Sequence, residues 1–490
     1  MTGPLVHHLD DDHGDRPAEE LRERLGGKGA TIVALHRLGL PVPPASTLTT
    51  EACRRFLADG WDDDLDAALR GALARLEGLT GRRLGDAADP LLVSVRSGAS
   101  ASMPGMMDSV LDVGATPEVI EALAARTGDR AFADDTWRRA RRGWEAVVGG
   151  ALPADPHEQL VRAVQAVFGS WRAERVARFR ELEGLDDDGG TAATVQVMVF
   201  GNRSTGSGTG VAFSRDPSTG EPGPMGDFLV GAQGDDVVAG ARITGDLHRL
   251  RELWPDVWDE LVDAIDRVEH HLGDAVDVEL TVEDGRLWLL QARPARRSPR
   301  AALRVAVDLA EDPTFALDRA GAVDRCRELL DADPATWTSG LGDTAGGAVV
   351  VEGLGASPGC AVGVLCVDLD RAAELLAEGA DVVLVRNETA PADVPAMAGA
   401  VGLVTAHGGV VSHAAVVARD WGVPAVVGAA ELRFVDGGVE GPGGFVAEGA
   451  VVTVDGDGGR LLRGAHPAAP GEPPPELEVL RRWAAELAGR

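Results

Sequence analysis

A single histidine stands between a pair of glycines and a run of small residues late in the chain. The segment reads Gly-Gly-Val-Val-Ser-His-Ala-Ala-Val-Val-Ala-Arg over residues 408–419. Ser412 is a favourable N-cap residue, which predicts that His413 lies on the first turn of a helix, beside unpaired N–H groups and the positive end of the helix dipole. We expect a neutral histidine there, whose phosphorylated form the helix N-terminus would stabilise. The residues alone leave open whether His413 is a nucleophile or only packs.

The cations of the chain are almost all arginines. Lys28 is the only lysine among 47 basic residues, in a chain of 490 residues with a net charge of −31. It follows Gly26-Gly27 at the start of a predicted helix, a combination of bare N–H groups, dipole and point charge that suits a phosphate. The Ser or Thr that follows the lysine of a Walker P-loop is missing. Either Lys28 has no special role and has escaped replacement by arginine by chance, or it occupies a place too narrow for a guanidinium.

Two further segments have the composition of phosphate-binding loops. Arg96 ends a buried strand and is followed by a loop of small residues, which suits gripping a polyphosphate and covering it, or a structural salt bridge. Gly208 and Thr209 lie in a Gly/Ser-rich segment that leads into another strand, as in a lid or a phosphate loop.

Two carboxylates alternate with apolar residues in a strand near residue 280. Asp277 and Glu279 share one face of that strand, and after an Asp-Gly turn the returning strand brings Gln291 and Arg293 opposite them. Mg²⁺ binds one or two carboxylates together with phosphate oxygens, so the hairpin could form a magnesium and phosphate site. Taken alone, it could equally be a charged face of an exposed sheet.

These segments together resemble the pyruvate phosphate dikinase family of phosphoenolpyruvate-utilising enzymes. The family pattern Gly-Gly-x-Thr-Ser-His-Ala-Ala-x-x-Ala-Arg matches residues 408–419, and its histidine carries a phosphoryl group between two distant sites. Val411 stands where the family usually has Thr, which is the regulatory phosphorylation site of plant relatives, so the same control is not expected here. The segments around Lys28 and Arg96 and the hairpin near residue 280 match the family as well.

The resemblance implies an α/β (α+β) fold, in which an ATP-grasp nucleotide-binding domain is followed by a small swivelling β/β/α phosphohistidine domain. The expected order is an ATP-grasp-type domain over residues 1–295, a helical connector over 296–345, the phosphohistidine domain over 346–464 and a Pro-rich tail with a short helix over 465–490.

The resemblance also implies the site residues and the cofactors, Mg²⁺ and ATP. His413 and Arg96 are expected to be catalytic, and Glu279, Gln291 and Asp277 to bind metal. The residues expected to bind the nucleotide are Lys28, Arg96, Gln291, Arg293, Gly208 and Thr209.

The expected activity is ATP-dependent phosphorylation of His413, with ATP and phosphate giving AMP and pyrophosphate. The resemblance ends near residue 460, before the (β/α)₈ barrel that binds pyruvate in the family. We therefore expect a partner protein with the pyruvate/phosphoenolpyruvate site. A different small-molecule acceptor, or a non-catalytic nucleotide-sensing module, are the alternatives. A partner would need the surface between Gly408 and Trp421, with Val410 and Val411, to be open.

The amino-acid composition of the chain restricts the kinds of partner that it can bind and the compartment in which we expect it. The net charge of −31 argues against nucleic acid or an anionic membrane surface as a partner. No apolar run reaches membrane-spanning length. Four cysteines without Cys-x-x-Cys spacing suggest reduced thiols, and hence the cytoplasm.

Overall fold

The computed structural model describes residues 4–11, 16–100, 103, 107–184, 189–238, 245–332, 341, 348–389, 393–466 and 471–489. Part of the loop predicted to cover a phosphate after Arg96, and part of the predicted connector, lie outside these residues. The chain divides into two compact units, Met1–Gly208 with Leu280–Ala292 and Thr209–Glu279 with Arg293–Arg490. The predicted mixed α/β class is confirmed. The predicted domain boundaries at residues 295, 345 and 464 stay a prediction.

The first unit is built on an antiparallel sheet of five strands. These are β1 (Val6–His8), β2 (Ala45–Leu48), β5 (Val93–Gly98), β6 (Ser109–Val113) and β7 (Ala192–Val197), in the order β1-β2-β7-β5-β6. Between β2 and β5 in the sequence, two short strands, β3 (Arg83–Leu84) and β4 (Pro90–Leu91), form a separate parallel pair. The helices are α1 (Ala18–Arg37), α2 (Thr50–Asp59), α3 (Asp63–Thr80), α4 (Pro117–Thr127), α5 (Arg130–Val147), α6 (Pro156–Ser170) and α7 (Glu174–Glu183).

Helix α3 illustrates how sequence signals fix these helices. Asp62 caps it by accepting the N–H of Leu65 at 2.9 Å, and Gly81 ends it in a left-handed conformation with φ of 69°. Leu65, Leu69 and Leu76 recur on one face of the helix and are fully buried.

The second unit begins with the strand that follows the Gly/Ser-rich segment. Its first sheet contains β8 (Gly208–Arg215), β9 (Pro222–Val230), β10 (Gly245–Asp246), β11 (Val276–Glu283) and β12 (Arg286–Pro294), in the order β10-β9-β8-β11-β12, and the unit boundary runs through β11 and β12. The helices of this part are α8 (Gly234–Val238), α9 (Arg249–Leu253) and α10 (Pro255–Leu272).

The histidine segment lies in a second, mixed sheet of eight strands. Its order is β13 (Val349–Glu352), β23 (Arg460–Arg463), β22 (Val451–Asp455), β15 (Cys360–Cys366), β16 (Val382–Arg386), β17 (Gly402–Thr405), β18 (Ala425–Val427) and β14 (Leu354–Ser357). A three-stranded sheet contains β19 (Arg433–Val435), β20 (Gly438–Gly441) and β21 (Gly444–Ala447). The helices here are α14 (Leu369–Ala377), α15 (Val394–Gly399) and α16 (His413–Trp421).

The two segments that flank the histidine part in sequence pack on each other. The first holds helices α11 (Pro299–Glu311), α12 (Arg319–Arg325) and α13 (Arg327–Leu330), and the second holds α17 (Pro475–Ala488). Leu477, Leu480 and Trp483 of α17 are buried in one cluster with residues of α11 and α12. The short C-terminal helix predicted from the sequence is confirmed, and its apolar face covers the connector helices.

A buried ion network ties the connector to the first sheet of its unit. The Arg215 guanidinium donates from Nε to Glu269 of α10 and from Nη1 to Asp308 of α11, each at 2.9 Å. Ser214 Oγ also donates to Glu269, at 2.8 Å. Arg215 and Glu269 are each 8% exposed, so their charges depend on each other for compensation.

We expect Arg215→Met to destabilise the second unit, because it leaves the Glu269 carboxylate buried without its counter-charge. Loss of one partner of a buried pair costs about 3 kcal/mol or more of unfolding free energy. Denaturant unfolding measures the effect, with Arg371→Met as the matched control. Arg371 pairs with Glu374 on the exposed surface of α14, so its loss should leave the unfolding midpoint unchanged. Equal midpoints for the two variants would contradict a role for the network in stability.

Candidate active site

His413 is the first residue of helix α16, as predicted. The Ser412 hydroxyl accepts the N–H of Ala415 at 3.5 Å and caps the helix. Gly408 has a φ of 106° and lies so close to Ser412 that a Cβ atom would come within 2.9 Å of the serine Cβ. A side chain at Gly408 would therefore disturb the cap that orients the histidine.

The surroundings of the His413 ring favour its neutral form. Its Nδ1 lies 3.4 Å from the Thr389 hydroxyl, and its buried Nε2 has no hydrogen-bond partner among the described residues. Desolvation lowers the pKa of His413, against the raising effect of the Asp393 carboxylate. A neutral ring that donates from Nδ1 keeps its lone pair on Nε2, so Nε2 is the nitrogen available to attack phosphorus.

The lowered pKa has a consequence for the pH dependence of His413 chemistry. Protonation removes the lone pair, and the lowered pKa means that the ring stays neutral below the usual histidine value of about 6.5. We expect the initial rate of His413 phosphorylation to persist on the acid side of that value and to fall only at lower pH. Asp393→Asn should move this fall to still lower pH, because it removes the charge that raises the pKa. A fall centred at or above the usual value would contradict the desolvated ring.

Thr389 and Asp393 were not singled out from the sequence. Both follow strand β16, which runs parallel to β17, and β17 leads to the histidine segment. Because parallel strands end at the same edge of a sheet, reading the residues after β16 together with those after β17 would have indicated them.

In the hairpin, the structure joins two predicted site residues to each other. The Arg293 Nε donates to both carboxylate oxygens of Asp277, at 2.9 Å each. Burial raises the pKa of Asp277, although Arg293 opposes the shift, and Asp277 with Glu279 raises the pKa of Arg293. Arg293 therefore stays charged, and the Asp277 carboxylate accepts from its Nε rather than from its Nη groups.

The helix that begins with His413 lies against the face of the sheet that carries these charges. Val410 and Val411 pack in one apolar cluster with Val211 and Phe213 of β8, Met225 and Leu229 of β9, Ala275, which directly precedes β11, and Ala295. Side chains alternate along a strand, so Asp277 and Glu279 are on the same face as Ala275. We call this face of β8, β9 and β11 the docking face.

A buried carboxylate on the docking face holds the chain just before the histidine. The Val411 N–H donates to Asp227 Oδ2 at 3.0 Å, and Asp227 is 5% exposed. Arg296 and Asp420 form an ion pair at the other end of the helix. Val411 itself is only 5% exposed, so the prediction that it is open to a partner is wrong. The physical reason is that it fills the apolar cluster of the docking face.

In the first unit, Lys28, Arg96 and Gln291 come to the end of strand β5. Helix α1 kinks at Gly26, where φ is 67° and a Cβ atom would lie 1.8 Å from the Gly98 carbonyl oxygen. A Cβ atom on Gly98 would lie 3.5 Å from the Lys28 Cβ, so Lys28 sits against this strand end. Arg96 Nη1 donates to the carbonyl of Leu290, the neighbour of Gln291, at 3.2 Å.

One detail of the predicted phosphate cradle differs in the structure. Helical residues precede the glycines from Ala18, and Gly26 breaks the helix before it continues. The first N–H after this break, that of Gly27, is not bare, because it donates to the Ala99 carbonyl at 2.7 Å. The glycines therefore serve the close approach of the helix to β5. Gly208 and Thr209, at the start of β8, are both buried, and Thr209 is 2% exposed.

Comparisons with known proteins agree with this geometry. Residues 61–252 and 246–312 match the family described as "Pyruvate phosphate dikinase, AMP/ATP-binding domain", which covers just over half of the chain. Residues 378–459 match "PEP-utilising enzyme, mobile domain". The chain belongs to the pyruvate phosphate dikinase family.

Curated members of the pyruvate phosphate dikinase family align with nearly the whole chain. "Pyruvate, phosphate dikinase" of Rhizobium meliloti (strain 1021) is 39% identical, over 95% of this chain and 58% of its own length. "Pyruvate, phosphate dikinase, chloroplastic" of Mesembryanthemum crystallinum is 36% identical over 95% and 54%, and "Pyruvate, phosphate dikinase 2" of Oryza sativa subsp. japonica is 36% identical over 99% and 60%. The chain spans about half the length of the curated relatives it matches.

The pyruvate phosphate dikinase family uses ATP and Mg²⁺, and the donors present in this chain fit both. Mg²⁺ prefers carboxylate and amide oxygens, which Glu279 and Gln291 supply. Gln291 is 8% exposed, and its Oε1 is buried without a hydrogen-bond partner among the described residues, as expected of an atom awaiting a ligand. Asp277 fits a metal less well, because Arg293 holds both of its oxygens. Groups of three or more His, Cys, Asp or Glu side chains able to hold a metal are not found among the described residues.

In the part of the chain that the structure describes, no helix combines the length and the apolar character needed to cross a bilayer.

Proposed function

We propose that this chain phosphorylates its own His413 from ATP, with ATP, phosphate and His413 giving AMP, pyrophosphate and phosphohistidine. The observation that carries the proposal is the placement of His413. A neutral histidine with a buried, unpartnered Nε2 begins a helix that is docked on the face carrying Asp277 and Glu279.

Positively charged side chains would neutralise the phosphates of the nucleotide. Arg293 would bind phosphate oxygens through its Nη groups, while Lys28 and Arg96 would bind them from the end of β5. Glu279 and Gln291 are the residues that would supply oxygen ligands to Mg²⁺, whose charge would offset the charge that develops during transfer. Gly208 and Thr209 would approach the phosphates at the start of β8. Positioning and charge neutralisation are the main sources of catalysis in phosphoryl transfer.

We propose further that phosphohistidine passes its phosphoryl group to pyruvate. The support is the printed name of the relatives, which couples pyruvate and phosphate. The acceptor site would be carried by a partner protein, to which the histidine part presents His413 after it leaves the docking face. Four reduced cysteines, three of them buried, fit the reducing environment of the cytoplasm, where we place the reaction.

The test is incubation of the chain with Mg²⁺, phosphate and ATP labelled at the β or the γ position. We expect one equivalent of acid-labile, base-stable phosphoryl group on the protein. It should carry the label from only one of the two positions, because the other phosphoryl group leaves in pyrophosphate. AMP is the remaining product, and no reaction is expected without phosphate. Release of phosphate from ATP without added phosphate would show that water is the co-substrate. Nucleotide binding without any label on the protein would overturn the proposal in favour of a nucleotide-sensing module.

A further inference from the structure

Arg419 is a buried cation whose charge the proposed chemistry does not use. It lies on helix α16, two turns after His413, and is 1% exposed. Nη1 donates to the Ala356 carbonyl at 2.9 Å and Nη2 to the Val410 carbonyl at 2.8 Å. Nε is buried without a hydrogen-bond partner among the described residues. Arg419 thus holds the backbone of the segment that precedes His413.

A buried guanidinium normally has a carboxylate in contact, because an uncompensated charge is costly away from water. For Arg419, no ion pair within 4 Å is found in the described part of the chain. Desolvation lowers its pKa to about 10, while the negative charges of Asp277, Asp216 and Asp227 act against this. Its countercharges are therefore spread over the docking face and its edge.

The geometry places Arg419 over that face. Its guanidinium carbon is 5.6 Å from the centre of the Phe213 ring on β8, and β8 is the neighbour of β11, which carries Asp277. Val410, whose carbonyl Arg419 binds, packs on the same cluster. Asp277 is thus in direct contact with Arg293, and its charge also acts on Arg419 of the histidine helix, which lies over the neighbouring strand.

We propose that Asp277 and Arg419 couple nucleotide binding to the docking of the His413 helix. The inference rests on the proposed function, because it takes Arg293 to be a phosphate ligand. When phosphate oxygens bind the Nη groups of Arg293, that guanidinium neutralises Asp277 less completely. The Asp277 carboxylate then attracts Arg419 more strongly, and Arg419 tightens the docking of the segment from Val410 to His413. Arg419 is a positioning residue, since it acts through the histidine helix and not on the reacting atoms.

The test is amide hydrogen exchange of the segment 408–421, measured with and without the magnesium complex of AMP-PNP. The Val411 N–H is bonded to Asp227 across the docking contact, so its exchange reports docking directly. We expect the nucleotide to slow this exchange by about 10-fold, within the range typical of coupled sites. Coupling is reciprocal, so Arg419→Gln should abolish the slowing and weaken AMP-PNP binding by the same factor.

Two variants make the test specific. Arg419→Gln and Arg419→Lys both keep a donor for the backbone carbonyls, but only lysine keeps the charge, so lysine should retain most of the coupling. If Arg419 were merely structural, Arg419→Gln would change exchange equally with and without nucleotide, which would overturn the inference. Asp227→Asn is the control, because it should speed exchange in both states and leave the nucleotide effect in place.

The outcome also separates the inference from the proposed function. AMP-PNP that binds the unaltered chain without slowing exchange would overturn the coupling and leave His413 phosphorylation standing. Failure of AMP-PNP to bind the unaltered chain would overturn both.

Discussion

Replacing His413 with Asn is expected to reduce the acid-labile phosphoryl label on the chain to background. Asparagine retains a polar amide of similar reach but has no lone pair able to attack phosphorus. It also fits the helix start, because Ser412 supplies the cap and would still accept the Ala415 N–H. The loss should therefore be chemical and not structural. Label in the protein is measured after incubation with Mg²⁺, phosphate and β- or γ-labelled ATP.

His407 provides the matched control for this substitution. It lies in the same segment, is half-buried, and its N–H donates to the Asn387 carbonyl at 2.8 Å. His407→Asn removes an imidazole of the same type six residues away and should leave the label near its original level. Label that persists in the His413→Asn variant, or disappears equally in both variants, would contradict the assignment of His413.

Local signals in the sequence were sufficient for the elements that carry the site. Ser412 before a run of alanine and valine predicted where the histidine helix begins, because an N-cap and small helix-forming residues act over a few positions. Asp284-Gly285 between two alternating segments predicted the hairpin for the same reason. The resemblance to the dikinase family then indicated which side chains on these elements matter.

Contacts between segments that are far apart in the sequence could not be predicted from such local signals. The pairing of Arg293 with Asp277 depends on the register of two strands, and the sequence suggested separate roles in phosphate and metal binding. Thr389 reaches the His413 ring because two parallel strands end at one edge. The burial of Val411 depends on a surface formed almost 200 residues earlier, with which no local pattern connects it.

The burial of Val411 also explains in physical terms what it means to have valine where the family usually has threonine. A threonine there would place a hydroxyl in the cluster formed with Val211 and Phe213, where a polar group is costly without a hydrogen bond. Valine favours the docked position by packing alone. If, as proposed, the histidine part leaves this face to reach a second site, the docking contacts around Val411 and Asp227 have to be strong enough to align His413 and weak enough to break.

Lys28→Arg is expected to slow His413 phosphorylation by about 10-fold or more, although it conserves the charge. Lys28 sits where helix α1 and strand β5 approach so closely that Gly26 has no room for a side chain against Gly98. A lysine ammonium is a compact point charge, whereas the guanidinium is a wide planar fork, and a fork displaced by an ångström misaligns the phosphate it binds. Initial rates of labelling, measured over a range of ATP concentrations, report the effect.

Two further variants, Lys28→Met and Arg24→Lys, show what Lys28 contributes to the rate of His413 phosphorylation. Lys28→Met removes the charge as well as the shape and should slow the reaction further, by about 100-fold in total, as expected for loss of one donor to a developing charge. Arg24→Lys on the same helix is the control: Arg24 pairs with Glu20 near the surface and should tolerate the exchange. An unchanged rate in Lys28→Arg would show that the position accepts either cation. Lys28 would then be a survivor in an arginine-rich chain, and the narrow approach of α1 to β5 would serve packing rather than phosphate binding.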